Sequence, residues 1–444
     1  MDRLAYGGQG VARVDDFVVF VRGALPGDRV RARVGKRKRS YAEAHTLELL
    51  EPSPLRVPGQ CAQRDECGGC EWQALAYEAQ LRFKQEQVVE ALAHIAGLQA
   101  GSEGGYELEP IHAAADPWGY RNKMEFSFAE QHGRLLVGLH KWGSWREIVE
   151  TDGCRLAPEP IVRARQAVAE ACRALSLPAY GRSDHRGLLR HLVVRYGFAS
   201  GDLVVHLFVG RRFEEEVELV RLILAACPAT TIALTVNESP ADAAVGGPPI
   251  ILYGPPFFRE TLAGIRLHVP LTAFLQTNSR MCDDLYGTAL RCAMPQPQDD
   301  AYDLYCGIGS LTLLLARALR SVEAVEVQPE AIAAARENAR LNGAANVHFH
   351  TGDVRKVLKP PPSPLRPEVV VVDPPRAGLS GKALARSAAL GAARLVYVSC
   401  NPTTLAGNAL QLVELGYRLA RAAPVDMFPH THHIETVALF LRDA

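Results

Sequence analysis

The sequence predicts a multidomain chain: a small OB-like β-barrel, an α+β middle region, and a closing α/β domain on a mainly parallel sheet. Three observations predict it. Residues 1–50 hold short β-rich runs cut by glycine turns. The middle of the chain holds further β-rich runs, two of them joined by a hairpin-length loop. From about residue 265, strand-like and helical runs alternate, the pattern of a sheet covered on both faces. A length of 444 residues allows two or three domains and a sizeable core.

In order, Gly7-Gly8-Gln9-Gly10 predicts a turn, followed by strands over 17–22, 29–34 and 42–50, with 23–27 as a break. Three prolines within 51–60 predict a linker. Apolar residues at mixed helical spacing predict a helix within 71–96, ended by the glycines of 101–105. Strands are expected at 120–128, 190–196, 203–209, 231–236 and 251–253, with a helix at 217–226. In the last region, strands are expected at 300–305, 322–327, 347–350, 369–373, 395–399 and 436–441. Helices are expected at 310–320, 329–342 and 404–415, with a proline-rich loop at 359–367. No internal repeat is visible.

Charges balance, 49 basic against 49 acidic, so any cationic surface must be local. Arg29, Arg31, Arg33, Lys36, Arg37, Lys38 and Arg39 form one such run, with no acid among residues 29–39. On charge alone it reads equally as a solvated strand face. No signal peptide and no membrane-length apolar run are visible, so a soluble cytoplasmic protein without a membrane partner is expected. Ten cysteines in that setting are expected to be thiols or metal ligands rather than disulfides.

Several residues carry chemistry. Asp303-Leu-Tyr-Cys-Gly-Ile-Gly309 follows a strand and opens a helix, so its backbone can approach a ligand beside the helix N-terminus. It lacks the third glycine of a dinucleotide fingerprint, although the loop alone suits a nicotinamide cofactor equally well. Glu326 ends the next strand, where a carboxylate can accept from ribose hydroxyls. Asp353 after the third strand could read an adenine amino group, and Asp373 ends the fourth. Any one of these could be a loop carboxylate or helix cap; four in order at strand ends point to a nucleotide-type pocket. Cys400, in Val398-Ser-Cys-Asn-Pro402, offers a thiol nucleophile, and Glu435, in His432-His-Ile-Glu435, a base. A thiol and a carboxylate beside a methyl-donor pocket suit methylation of a pyrimidine carbon, which becomes nucleophilic only after a thiolate adds to the ring.

The order Asp303…Gly309, Glu326, Asp353, Asp373 resembles class I S-adenosylmethionine-dependent methyltransferases. Phe274-Leu-Gln-Thr-Asn278, Asp303–Gly309, Asp373-Pro-Pro-Arg-Ala-Gly378, Ser399-Cys-Asn-Pro402 and Asp426-Met-Phe-Pro-His-Thr-His-His-Ile-Glu435 together resemble the uracil-C5 RNA methyltransferase family. The resemblance implies Cys400 as nucleophile and Glu435 as base. It implies that Gln276, Tyr305, Ser310, Glu326, Asp353 and Asp373 line the S-adenosylmethionine or uracil pocket. Ser310 departs from the Asn of ribosomal-RNA members, though a hydroxyl can serve there.

Cys61, Cys67 and Cys70, with the distant Cys154, supply four soft ligands suited to zinc or an iron–sulfur cluster. Spacing leaves those two open, with unrelated buried thiols a third option. The resemblance to the cluster-bearing branch of the family implies a [4Fe–4S] cluster. Cys172, Cys227, Cys282 and Cys292 are expected to be buried side chains, and Cys306 belongs to the glycine loop. Residues 1–54 resemble a TRAM domain, carried by Tyr6-Gly-Gly-Gln-Gly-Val-Ala-Arg13 and the basic run, which implies an RNA-binding barrel. Tyr120-Arg-Asn-Lys-Met-Glu-Phe126 is also family-like, although its pattern alone favours an ordinary amphipathic strand. The expected domains are 1–54, 55–262 and 263–444, with part of 75–110 able to pack on the last. The expected partner is RNA, 23S ribosomal RNA ahead of transfer RNA, and the expected state is monomeric.

Overall fold

The computed structural model describes residues 1–443 except 102, 240, 242, 364 and 365. Two of those positions fall in the expected loop 359–367 and one in the glycine segment 101–105, and so lie outside the described residues.

The N-terminal strands Arg3–Leu4, Gly10–Val14, Phe17–Arg22, Arg29–Arg37 and Tyr41–Glu51 form one five-stranded sheet, with the last strand inserted between the third and fourth. Its core is small, built on Val21, Ala24 and Ala44. The basic run therefore lies against an acidic strand. Arg29 pairs with Glu51 at 2.5 Å and Arg31 with Glu48 at 2.6 Å. Lys36, Lys38 and Arg39 stay exposed outside those pairs. The cationic surface is thus narrower than the linear run suggests, because acids absent from the run arrive from the neighbouring strand.

A seven-stranded mixed sheet follows, in the order Ile250–Tyr253, Thr231–Val236, Leu203–Val209, Leu189–Tyr196, Lys123–Gln131, Arg134–His140 and Ile148–Glu150. Helices Glu159–Ala174 and Glu216–Ala226 pack together and share its apolar core. The first of these helices is absent from the sequence expectations. Its buried stripe of Ile161, Ala164, Val168 and Cys172 rests half on small residues, so its period is faint in hydropathy. The strand expected at 120–128 begins later, at Lys123, because residues 120–122 are engaged elsewhere.

The third sheet has eight strands in the order Val347–Thr351, Ser321–Glu326, Asp300–Leu304, Val369–Val372, Arg394–Ser399, Glu435–Arg442, Tyr417–Val425 and Glu107–Leu108. The first five run parallel, and Glu435–Arg442 runs antiparallel to its neighbours. Val369–Val372 is four valines buried on both faces, as a central parallel strand requires. Apolar clusters cover the two faces of this sheet. Helix Tyr77–Ala96 packs along helix Pro402–Glu414, and the edge strand Glu107–Leu108 joins the sheet from far upstream.

Candidate active site

The site gathers at the carboxyl ends of the parallel strands, where open α/β sheets leave a crevice. Strand Asp300–Leu304 runs into Tyr305, whose φ of 69° lies in the left-handed region, a strained conformation for a non-glycine residue. Gly309 follows at φ 87°, and a Cβ there would meet the Ala335 Cβ at 3.3 Å. Helix Ser310–Ala318 then begins, so its first N–H groups open onto the crevice. The Glu326 carboxylate accepts from the Gly307 N–H at 3.2 Å and the Gln328 N–H at 2.9 Å, tying the loop to the next strand end.

Phe274, Gln276, Tyr305, Gly307, Ser310 and Asp373 line one cavity. Four of the six residues expected at the donor or uracil pocket thus come together. Glu326 and Asp353 stand outside that lining and flank Tyr305. The Asp353 carboxylate caps the short helix Val354–Val357 and is held down to about 2, first by its hydrogen bonds from the Arg355 side chain.

Cys400 follows the end of strand Arg394–Ser399. The register pairs Ser399 with Thr436, so the next step places Cys400 beside Glu435 on the adjacent antiparallel strand. The turn is held by the Ser399 hydroxyl, which accepts from the Asn401 N–H at 3.2 Å, and by Asn401, which caps helix Pro402–Glu414. Burial pushes the Cys400 thiol up to about 11; Glu435 and Asp373 push the same way, while Arg376 opposes them. Burial and Asp373 hold Glu435 well above the ordinary carboxylate range. Burial and the Asp303 carboxylate push Asp373 up to about 7. Three acids in one crevice cannot all carry charge, so their protons are shared as a set. Such a site can hold a neutral thiol beside a carboxyl group and exchange a proton between them.

A sequence profile of tRNA (uracil-5-)-methyltransferases matches residues 264–352 and 365–443, and a TRAM-domain profile matches residues 2–47. An uncharacterised RNA methyltransferase of Halalkalibacterium halodurans is 37% identical, over 99% of this chain and 95% of its own. One from Caldanaerobacter subterraneus is 34% identical, over 99% and 97%. This chain belongs to the uracil-5 RNA methyltransferase family. The crystal structure of Pyrococcus abyssi tRNA (uracil-54, C5)-methyltransferase with S-adenosyl-L-homocysteine is similar over 99% of both chains, at TM-score 0.78 and 25% identity.

In this RNA methyltransferase, residues far from the crevice hold its parts. Lys84, on helix Tyr77–Ala96, donates to Asp426 at 2.6 Å and to the Phe428 carbonyl at 2.9 Å. Tyr77 donates to the other Asp426 oxygen at 2.9 Å, and Gln80 accepts from the His430 N–H at 2.8 Å. The helix thereby fixes residues 426–430, just before Glu435. The segment 120–122 does the same on the other side. Tyr120 donates to the Pro429 carbonyl at 3.0 Å, and Asn122 donates to the Gln276 carbonyl at 2.8 Å and the Ser279 hydroxyl at 2.7 Å. Sequence reasoning gave no role to Lys84, Asn122, Asp426 or Arg376. The only signal was that Asn122, Asp426 and Arg376 lie within quoted motifs.

Cys61, Cys67, Cys70 and Cys154 come together around a cavity of about 540 Å³, with Arg121 and Trp142 also on its wall. None forms a disulfide. Burial pushes the Cys70 thiol up to about 12, and the neighbouring cysteines add to the shift. Among the described residues, no group of three or more His, Cys, Asp or Glu stands close enough to hold a metal ion. The cysteines expected as ligands therefore share a cavity but do not form an ion-sized cage. An all-sulfur donor set is chemically compatible with zinc and with an iron–sulfur group alike. Among the described residues, no helix is long and apolar enough to cross a membrane.

Proposed function

We propose that this methyltransferase transfers a methyl group to C5 of one uridine in RNA through a covalent Cys400 adduct, giving 5-methyluridine. The observation that carries this reading is the register that sets Cys400 beside Glu435, next to Asp373, at the mouth of the sheet. The target base must leave its stack to reach that depth. Cys400 adds as thiolate to C6 of the uracil, and the electron pair moves toward C5. Its proton leaves to solvent, so that the Glu435 carboxylate remains free for the later step, and Arg376 favours the thiolate. S-adenosylmethionine, when bound, supplies the electrophilic methyl group that C5 takes. Gln276, Tyr305, Ser310, Glu326, Asp353 and Asp373 are the residues proposed to hold donor and base. Glu435 then removes the C5 proton, and the thiolate leaves C6 by β-elimination.

The reading includes three units, 1–54, 55–262 and 263–444, acting as a cytoplasmic monomer. It includes a structural [4Fe–4S] cluster on Cys61, Cys67, Cys70 and Cys154, supported by the shared cavity and its donor set. The cluster reading favours 23S ribosomal RNA as substrate. The full-length likeness to the Pyrococcus enzyme, whose substrate is a transfer RNA, favours the second reading, the same chemistry on tRNA. The test is trapping with 5-fluorouracil-substituted 23S and transfer RNA. Wild type should form a stable adduct on one of them. Cys400→Ala should form none while still binding S-adenosylmethionine, and Glu435→Gln should accumulate the methylated adduct on unmodified RNA. Turnover by Cys400→Ala would overturn the covalent mechanism.

A further inference from the structure

The barrel reaches the chemistry directly. Its first turn, at Gly7 and Gly8, has φ values of 104° and 85° and is pressed against the segment that leads out of the cysteine cavity. A Cβ on Gly8 would meet the Glu71 carboxylate at 2.8 Å and the Trp72 indole nitrogen at 3.3 Å. Trp72 donates to the Gly8 carbonyl at 3.4 Å, and Gln87 donates to the Ala5 carbonyl at 3.3 Å. Glu71 in turn holds His432. The turn is therefore anchored on both sides of Tyr6; the close approach calls for glycine at residue 8, and the left-handed φ favours it at residue 7.

That anchoring places the Tyr6 ring edge-on to the His432 ring, with centroids 6.0 Å apart. The Tyr6 hydroxyl is buried, with no described group meeting it at hydrogen-bonding distance and angle, although the Arg376 guanidinium lies beside it. Cys400 and Glu435 are both within electrostatic reach of the same oxygen. A buried hydroxyl left with only the poorly aligned Arg376 guanidinium beside it is costly and calls for a specific cause.

We infer that Tyr6 is a substrate-contacting residue of the methyl-transfer site: its ring forms the barrel-side wall for the target nucleotide, and its hydroxyl hydrogen-bonds to that nucleotide. The inference rests on the uracil-C5 reading. It gives the barrel a second task, since RNA engagement by the barrel and closure of the pocket around the base become one event.

The experiment follows adduct formation on 5-fluorouracil-substituted RNA at saturating S-adenosylmethionine, for wild type, Tyr6→Phe and Tyr6→Ala. RNA and donor affinities are measured in parallel. One lost hydrogen bond should slow the saturating rate of Tyr6→Phe up to about tenfold. Tyr6→Ala should be slower again. RNA affinity should stay within about twofold of wild type and donor affinity should be unchanged, because most RNA contacts and all donor contacts lie elsewhere. Should Tyr6→Ala lose donor binding through misfolding, Tyr6→Phe, which keeps the ring packing, decides. Variants that react at the wild-type saturating rate, or that change only in RNA affinity, overturn the inference while leaving the C5 chemistry intact. A wild type that forms no adduct on any RNA overturns the C5 reading, and this inference with it.

Discussion

Replacing Lys84 by Met tests how the segment before Glu435 is held. Lys84 and Asp426 are both 0% exposed and 2.6 Å apart. Met nearly matches the stem of the lysine but removes its charge and both of its hydrogen bonds. Asp426 then keeps the Tyr77 hydroxyl and the Phe428 N–H, but no counter-charge. Removing one partner of a buried pair costs about 3–5 kcal/mol, because the other charge is left uncompensated. In a unit the size of the closing domain, 1 kcal/mol moves Tm by about 2–4 °C, so a fall of about 6–20 °C is expected at neutral pH. The double variant Lys84→Met/Asp426→Leu should recover much of the loss, since no charge then remains buried. The assay is thermal unfolding of the three proteins at pH 7.5. As a reference, Arg3→Ala, which breaks the exposed Arg3–Glu90 pair, should cost about 1 kcal/mol or less. A Lys84→Met fall no larger than that of Arg3→Ala, or a double variant worse than the single, would refute the argument.

Asp373 gives a pH prediction. Its folded pKa of about 7 is above its ordinary 3.8, so its contribution is fully favourable below about 4 and is lost as pH rises through about 7. At 1.36 kcal/mol per unit, the ceiling is on the order of 4 kcal/mol; Asp373→Asn should therefore lose less stability than wild type between pH 5 and pH 8 in urea titrations, and an equal loss would contradict the assignment. Anaerobically purified protein should be brown with about four irons per chain. Cys154→Ser should lose the iron, whereas stoichiometric zinc in colourless protein would refute the cluster. Neutralising Lys36, Lys38 and Arg39 together should flatten the salt dependence of RNA binding by about 0.7 in log–log slope for each lost single-strand contact. An unchanged slope would mark them as a solvated face.

The parts of this protein that are local in the chain were legible in the sequence. Asp303–Gly309 had to be a turn into a helix, because glycines at 307 and 309 sit between a β-rich and a helical run. Val369–Val372 had to be a central strand, because both of its faces are apolar. Cys400 and Glu435 offer a thiol and a carboxylate that the sequence alone could single out as candidates, and the order of the strand-end acids suggested a nucleotide-type pocket. Helices Cys282–Ala293 and Gly381–Ala389, and strand Tyr417–Val425, were not read, because small or mixed residues blur their periods. What tertiary structure decided is everything that depends on pairing across long separations. The register of Ser399 on Thr436 turns a thiol and a carboxylate 35 positions apart into neighbours. Burial then raises the proton affinities of Cys400, Asp373 and Glu435 together, which no local pattern encodes. The basic run loses part of its charge to Glu48 and Glu51 on the adjacent strand. Lys84 has no visible role in the sequence, and gains one only when Asp426, 342 positions away, meets it in the core. Composition and period report what one segment prefers; desolvation and charge pairing depend on which segments the fold brings together, and only the folded chain sets that.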